Sequence, residues 1–233
     1  MSELWLLAAL PGEVARVPRR GSTPLSVPAP GSAFRLGGGG IAWSGMGRRN
    51  TVQLLEALAA AGARHVLHLG CAGGLQPGLG AGDARRLVAA WHEGERLECP
   101  GDAALWARLA AAGHELPASE TVTVREIVDS AQKRALAARY EQAAVVEMET
   151  YWAIEAAARL GLSLSCLRVV IDGRDDDLPD LSSALDELGR PRVLSFAKLV
   201  LTRPSVLSGL GRSGAAFGRV QQVLGALGAA ALR

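Results

Sequence analysis

Four short stretches place acids or glycines where ligands bind. Glu147-Met148-Glu149 follows the apolar run Ala143–Val146 and precedes a helical period from Thr150 to Leu160. Carboxylates at a helix N-terminus gain from its dipole. Alternating residues can face opposite ways, so one glutamate can reach a pocket while the other caps. Asp172 ends the apolar strand Leu164–Ile171 and opens the acidic run Asp172-Gly173-Arg174-Asp175-Asp176-Asp177. The run reads as a solvated loop, but Asp172 itself is placed, partly desolvated, to act as an acid. In Gly70-Cys71-Ala72-Gly73-Gly74 the missing Cβ atoms let backbone approach a ligand closely, and the amides could seat an anion. A tight turn explains that run equally well. Pro11-Gly12-Glu13 breaks the first strand.

The elements that must position these residues follow from period and punctuation. Leu4–Leu10 predicts a buried strand, and the Pro-, Ser- and Gly-rich residues 17–32 a loop. Ala33–Leu36 and Ile41–Ser44 flank Gly37–Gly40 as a hairpin. No helix and no GK[ST] follows those glycines, so they are not a P-loop. Asn50–Ala61 has a helical period and Gly62 ends it. The strand His65–Leu69 runs into the glycine stretch, expected as a loop. Ala84–Ala90 predicts a strand, Asp102 caps a helix to about Ala112, Val122–Val124 is β-branched, and Ser130–Tyr140 is helical. Strands alternating with helices predict an α/β fold with a largely parallel sheet. Ligands of such sheets bind beyond the carboxyl ends of the strands, where all four stretches fall.

Composition sets the frame. In 233 residues, 49% hydrophobic and 21% charged side chains exclude a disordered chain, and the length suits one domain. No window approaches the roughly 18 apolar residues that span a bilayer. Cys71, Cys99 and Cys166 lack CxxC or zinc spacing and read as reduced thiols of a cytoplasmic protein. His65, His68, His92 and His114 form no metal motif, so no metal is expected. A net charge of +2 does not by itself point to nucleic acid. That sum hides an asymmetry, because residues 189–233 hold seven Arg or Lys and no acid.

Taken together, the motifs resemble the nucleoside phosphorylase/nucleosidase family. The carriers are Ser44-Gly45-Met46-Gly47, then Leu69 to Leu75 with Gly82-Asp83, then Val146-Glu147-Met148-Glu149, and Arg168-Val169-Val170-Ile171-Asp172. They stand in family order. The resemblance implies a three-layer α/β/α domain, with a central mixed, mostly parallel twisted sheet, that cleaves the N-glycosidic bond of a purine nucleoside. It implies that Asp172 serves the purine N7, that Glu149 holds the ribose hydroxyls, and that Met148 packs on the sugar. Glu147, Cys71, Ala72, Gly73 and Val124 complete the implied substrate-binding set. Glu13 matches a water-activating glutamate of nucleosidases, yet Gly12 and Arg16 also match a phosphate-binding pattern, with Arg48 a further candidate. Both nucleophiles, water and inorganic phosphate as co-substrate, therefore stay open, and no other cofactor is implied. Cys71, His68 and Ile171 depart from the family's usual serine, arginine and serine.

Asp177-Leu178-Pro179, Gly189-Arg190-Pro191 and Thr202-Arg203-Pro204-Ser205 narrow the resemblance to hopanoid-associated phosphorylases. That branch implies phosphorolysis, with adenosylhopane, a lipid-linked nucleoside, as substrate. Hydrolysis of the methylthioadenosine/adenosylhomocysteine or futalosine type is the alternative, and a non-catalytic nucleoside-binding paralogue a third reading. The basic, apolar residues 189–233 predict a helical extension able to touch anionic lipid from the cytoplasmic face. The resemblance also implies a homo-oligomer.

Overall fold

The computed structural model describes residues 4–176, 188 and 205–232. The motifs at 177–179, 189–191 and 202–204 lie outside the described residues, and so do residues 189–204 of the basic extension.

Leu4–Ala8 (β1) lies parallel to both Gly39–Trp43 (β4) and His65–Gly74 (β5), and β5 lies parallel to Ser163–Asp172 (β10). This β4-β1-β5-β10 core is all parallel. Thr23–Leu25 (β2) and Ser32–Leu36 (β3) extend it as an antiparallel edge. On the other side, β10 pairs antiparallel with Ala84–His92 (β6), which carries the short edge strand Glu95–Glu98 (β7). Next come Ala118–Thr123 (β8) and Ala143–Glu147 (β9), parallel to β6 and to each other. The far end of β9 meets Gly73 and Gly74 of β5, so five strands close on themselves. The sheet is mixed, as the α/β reading expected. Its antiparallel members are the β2–β3–β4 edge, β6–β7, and the two joints that close the ring.

The glycine stretch is not a loop. It forms the second half of β5. The first half pairs with β1, which ends at Ala8, and the last two residues pair with β9. A side chain at Gly73 would crowd Val146 Cγ1 at 3.2 Å. Small residues thus let one strand pass between neighbours on both sides and reach the site as backbone. β2, expected as loop, contains Pro24, which the sheet tolerates on its outer edge.

Among the described residues, four helices follow the 3-10 turn Pro11–Val14 before the C-terminal one. They are Arg48–Ala60 (α1), Ala103–Ala111 (α2), Ser130–Arg139 (α3) and Thr150–Leu160 (α4). The chain's last described element is Ser205–Leu232 (α5). Strand alternation divides the packing into layers. Trp5 and Leu7 face Leu54, Leu55 and Leu58 of α1 and Ala153 and Ala157 of α4. Leu4, Leu6 and Ala8 face Leu105 and Leu109 of α2 and Val220, Leu224, Leu227 and Ala231 of α5. The α5 residues recur at helical spacing, so from Val220 onward its apolar face is spent on the sheet.

Candidate active site

The carboxyl ends of β1, β5, β9 and β10 meet around one cavity. Its walls include Glu13, Met46, Cys71, Ala72, Gly73, Val124, Glu126, Lys133, Met148, Glu149 and Asp172.

Glu13 sits in the 3-10 turn that begins where β1 stops. Its carboxylate is buried and held at both oxygens. Oε2 accepts from Leu10 N at 2.8 Å and Oε1 from Cys71 N at 2.7 Å. The second bond needs a close approach by β5, and a Cβ at Gly70 would stand 3.0 Å from Glu13 Oε1. Cys71 thus contributes its backbone amide. Burial pushes its thiol well above the ordinary range, and Glu13 adds to the rise, so the sulfur stays protonated at neutral pH.

The two glutamates at the carboxyl end of β9 divide their work. Glu147 turns inward as an anchor. Its Oε1 accepts from Thr123 Oγ1 at 2.6 Å. Its Oε2 accepts from the amides of Glu149 (3.0 Å) and Thr150 (2.8 Å), from Thr150 Oγ1 (2.7 Å), and from Arg168 Nη2 (2.8 Å). Its oxygens are therefore committed to the start of α4 and to a buried ion pair. Arg168 also donates to the carbonyls of His68 (3.2 Å) and Leu167 (3.0 Å). His68 is driven well below its usual pKa by burial and then by Arg168, so its imidazole is neutral. Glu149 faces the cavity instead. Its Oε1 accepts from Gly47 N at 2.9 Å, in a turn where Gly45 and Gly47 take φ of 85° and 88°. Burial, then repulsion from Glu147, lifts its pKa to about 7, against the pull of Arg168 and the Gly47 amide.

Asp172 closes the opposite wall. Lys133 of α3 donates to Asp172 Oδ2, and also to the carbonyls of Gly173 and Asp176 at 2.9 Å each. Both side chains of this pair are buried.

The structure brings Glu13, Cys71, Ala72, Gly73, Val124, Glu147, Met148, Glu149 and Asp172 around the cavity. Of the phosphate-binding candidates, Gly12 and Arg16 are not on its wall, and Arg48 lines a neighbouring hollow together with Val124 and Met148. The carbonyl of Gly12 accepts from Gln221 of α5 at 2.9 Å, and its Cα lies against Phe217. Arg16 is exposed, with its Cβ against Gly225 of α5. Arg48 lies over the Trp152 ring at 4.4 Å and approaches Glu155 at 3.6 Å. For Gly12 and Arg16 the short turn is the cause, since it aims Glu13 into the cavity while those two face α5. Among the described residues, the only cation on the cavity wall is Lys133.

Sequence reasoning missed Lys133 and Arg168 as site residues. Each left a signal. Lys133 is one of two lysines among 25 basic residues and shares the core face of α3 with Leu136 and Ala137. Arg168 interrupts an apolar strand.

Residues 4–203 match the Phosphorylase superfamily, and the chain belongs to it. Solved structures of the same fold include the 5'-methylthioadenosine/S-adenosylhomocysteine nucleosidase of Helicobacter pylori bound to butyl-thio-DADMe-Immucillin-A. It is 18% identical, with a TM-score of 0.65 over 90% of this chain and 95% of that one. The Streptococcus pneumoniae MTA/SAH nucleosidase in complex with 8-aminoadenine is 16% identical, with a TM-score of 0.66 over 99% and 100%. A futalosine hydrolase mutant of Helicobacter pylori is 16% identical, with a TM-score of 0.62 over 89% and 97%. No curated protein matches the chain.

Proposed function

We propose that this chain hydrolyses the N-glycosidic bond of a purine nucleoside of the methylthioadenosine/adenosylhomocysteine or futalosine type, with water rather than phosphate as nucleophile. One observation carries the reading. Glu13 is a buried carboxylate fixed by two backbone amides, on a cavity shared with Glu126, Glu149 and Asp172. Such a wall suits a general base and a developing cation, and it repels a phosphate dianion. In the reaction Glu13 takes a proton from water, whose oxygen bonds to C1'. The C1'–N9 bond breaks and its electrons pass to the purine, whose N7 takes the proton of the Asp172 carboxyl; the proton held by Glu13 returns to solvent and Asp172 is reprotonated on product release. Glu149 holds the ribose hydroxyls and, when ionised, stabilises the positive charge on the sugar.

The test is purine release from 5'-methylthioadenosine, S-adenosylhomocysteine and futalosine in phosphate-free buffer containing 18O-labelled water. The expected result is free base with label in the sugar hydroxyl. Release only on adding phosphate, with a sugar 1-phosphate as product, overturns the choice of nucleophile. Adenosylhopane belongs in the same panel as a lipid-linked purine nucleoside, a reading that rests on the motifs at 177–179, 189–191 and 202–205. Contact of the basic residues 189–204 with anionic lipid is proposed on their charge alone.

A further inference from the structure

We infer that Lys133 is a positioning residue for Asp172, clamping that carboxylate and the turn behind it against the leaving base; the inference rests on the nucleosidase reading above. Position 133 lies on the core face of α3, one turn before Leu136 and Ala137. A helix of this kind calls for an apolar residue there. An ammonium at such a place is costly unless it is paired and hydrogen-bonded. Lys133 meets that demand in full. It has three donors, and they meet the Asp172 carboxylate and the carbonyls of Gly173 and Asp176. The turn is closed a second time by Gly173 N donating to Asp176 Oδ2 at 2.9 Å. The stem of the lysine reaches Asp172 by crossing Gly73, where a Cβ would meet Lys133 Cε at 3.3 Å. Gly73 therefore leaves room for the clamp as well as for a ligand.

A buried ion pair is a poor way to gain stability, because apolar residues of similar volume often do as well. Its place on the cavity wall points to another use. The ammonium fixes the rotamer of Asp172, so the base meets one defined carboxyl, and it is in place to pair with the carboxylate that forms when N7 takes the proton. The effect on the reaction must then pass through Asp172.

A double-mutant cycle tests this. Purine release in water, and binding of free adenine, are measured for the wild type, Lys133→Met, Asp172→Asn and the double variant. Circular dichroism checks that each is folded, and Lys133→Gln replaces Lys133→Met if the latter is not. The expected loss for Lys133→Met is about 100-fold in kcat with KM within about threefold. In the Asp172→Asn background the same change should cost less than about threefold. A kcat within threefold of wild type, or the same factor in both backgrounds, overturns the inference. If the wild type binds adenine but releases no purine, the hydrolase reading falls alone and the cycle on adenine Kd decides the role of Lys133. Coupled losses there support it, and independent ones overturn it. If the wild type neither binds adenine nor releases purine, both readings fall.

Discussion

Glu149 shows how one side chain's surroundings set both chemistry and stability. Burial and Glu147 raise its pKa from the usual carboxylate value to about 7. The folded state thus holds this proton more tightly than the unfolded chain. The cost of ionising Glu149 is absent below about pH 4.5, grows as pH rises, and is complete above about pH 7. Glu149→Gln removes that cost. The variant should match wild type in thermal stability at pH 4.5 and exceed it at pH 8, by up to about 3 kcal/mol. It should also lose purine release, since an amide cannot balance a cation. Equal melting temperatures at pH 8 would show that ionisation there is not costly. Glu13→Gln should lower kcat by about 10²–10⁴-fold, the usual worth of a general base, with little change in adenine binding. A variant that still hydrolyses at the wild-type rate would remove Glu13 from the mechanism. Cys71→Ser should keep kcat within about threefold, because its backbone amide, rather than its thiol, holds Glu13. A larger loss would assign a role to the sulfur.

At the scale of elements, β5 joins sequence to site. Glycine and alanine carry its second half past Glu13, Val146 and Lys133, where ordinary side chains would not fit. Gly70→Ala puts a methyl 3.0 Å from Glu13 Oε1. It should weaken the Cys71 amide bond and lower kcat about tenfold or more, with a modest change in melting temperature. Unchanged kinetics would mean that this bond does not set the position of Glu13. The strands β1, β5, β9 and β10 were legible because long apolar runs end in glycine or acid. The helix ends at Ala61-Gly62 and Leu160-Gly161 were legible because glycine takes positive φ there. What escaped was contact between distant segments. Nothing local to Gly70–Gly74 says that a strand continues, because its partners β9 and β10 lie about seventy and a hundred residues on. β7 escaped because its charged Glu95–Glu98 is an edge held by cross-strand pairing with β6, through a Glu93-Gly94 turn with φ of 50° and 94°. Lys133 reads as one more basic residue on a helix, because its partner Asp172 lies about forty residues on. Gly12 and Arg16 fit a phosphate pattern by spacing, but the helix they face is two hundred residues away.

The whole molecule separates its charges. The acids that line the cavity belong to residues 1–188, which carry five more acidic than basic residues, and the remainder carries seven basic residues and no acid. α5 shows that part of this basic segment serves the fold. Leu224 and Leu227 are buried against Leu6, Val17 and Leu69, and Gln221 holds the turn that carries Glu13. Leu224→Ala should therefore destabilise the protein by about 2–5 kcal/mol in urea unfolding, as expected of a core position. An amphipathic membrane helix would leave such a leucine for lipid, and its loss would weaken vesicle binding without unfolding anything. The two roles separate cleanly in one pair of variants. Replacing Arg190, Arg192, Lys198 and Arg203 with Gln should abolish co-sedimentation with anionic vesicles at low salt while leaving the unfolding midpoint in place, since each cation contributes about 1 kcal/mol near such a surface. Leu224→Ala should shift the midpoint while the folded protein still sediments with the vesicles. Loss of sedimentation in Leu224→Ala at temperatures where it remains folded would assign α5 to the lipid. No sedimentation of the wild type on anionic vesicles would overturn the proposed lipid contact.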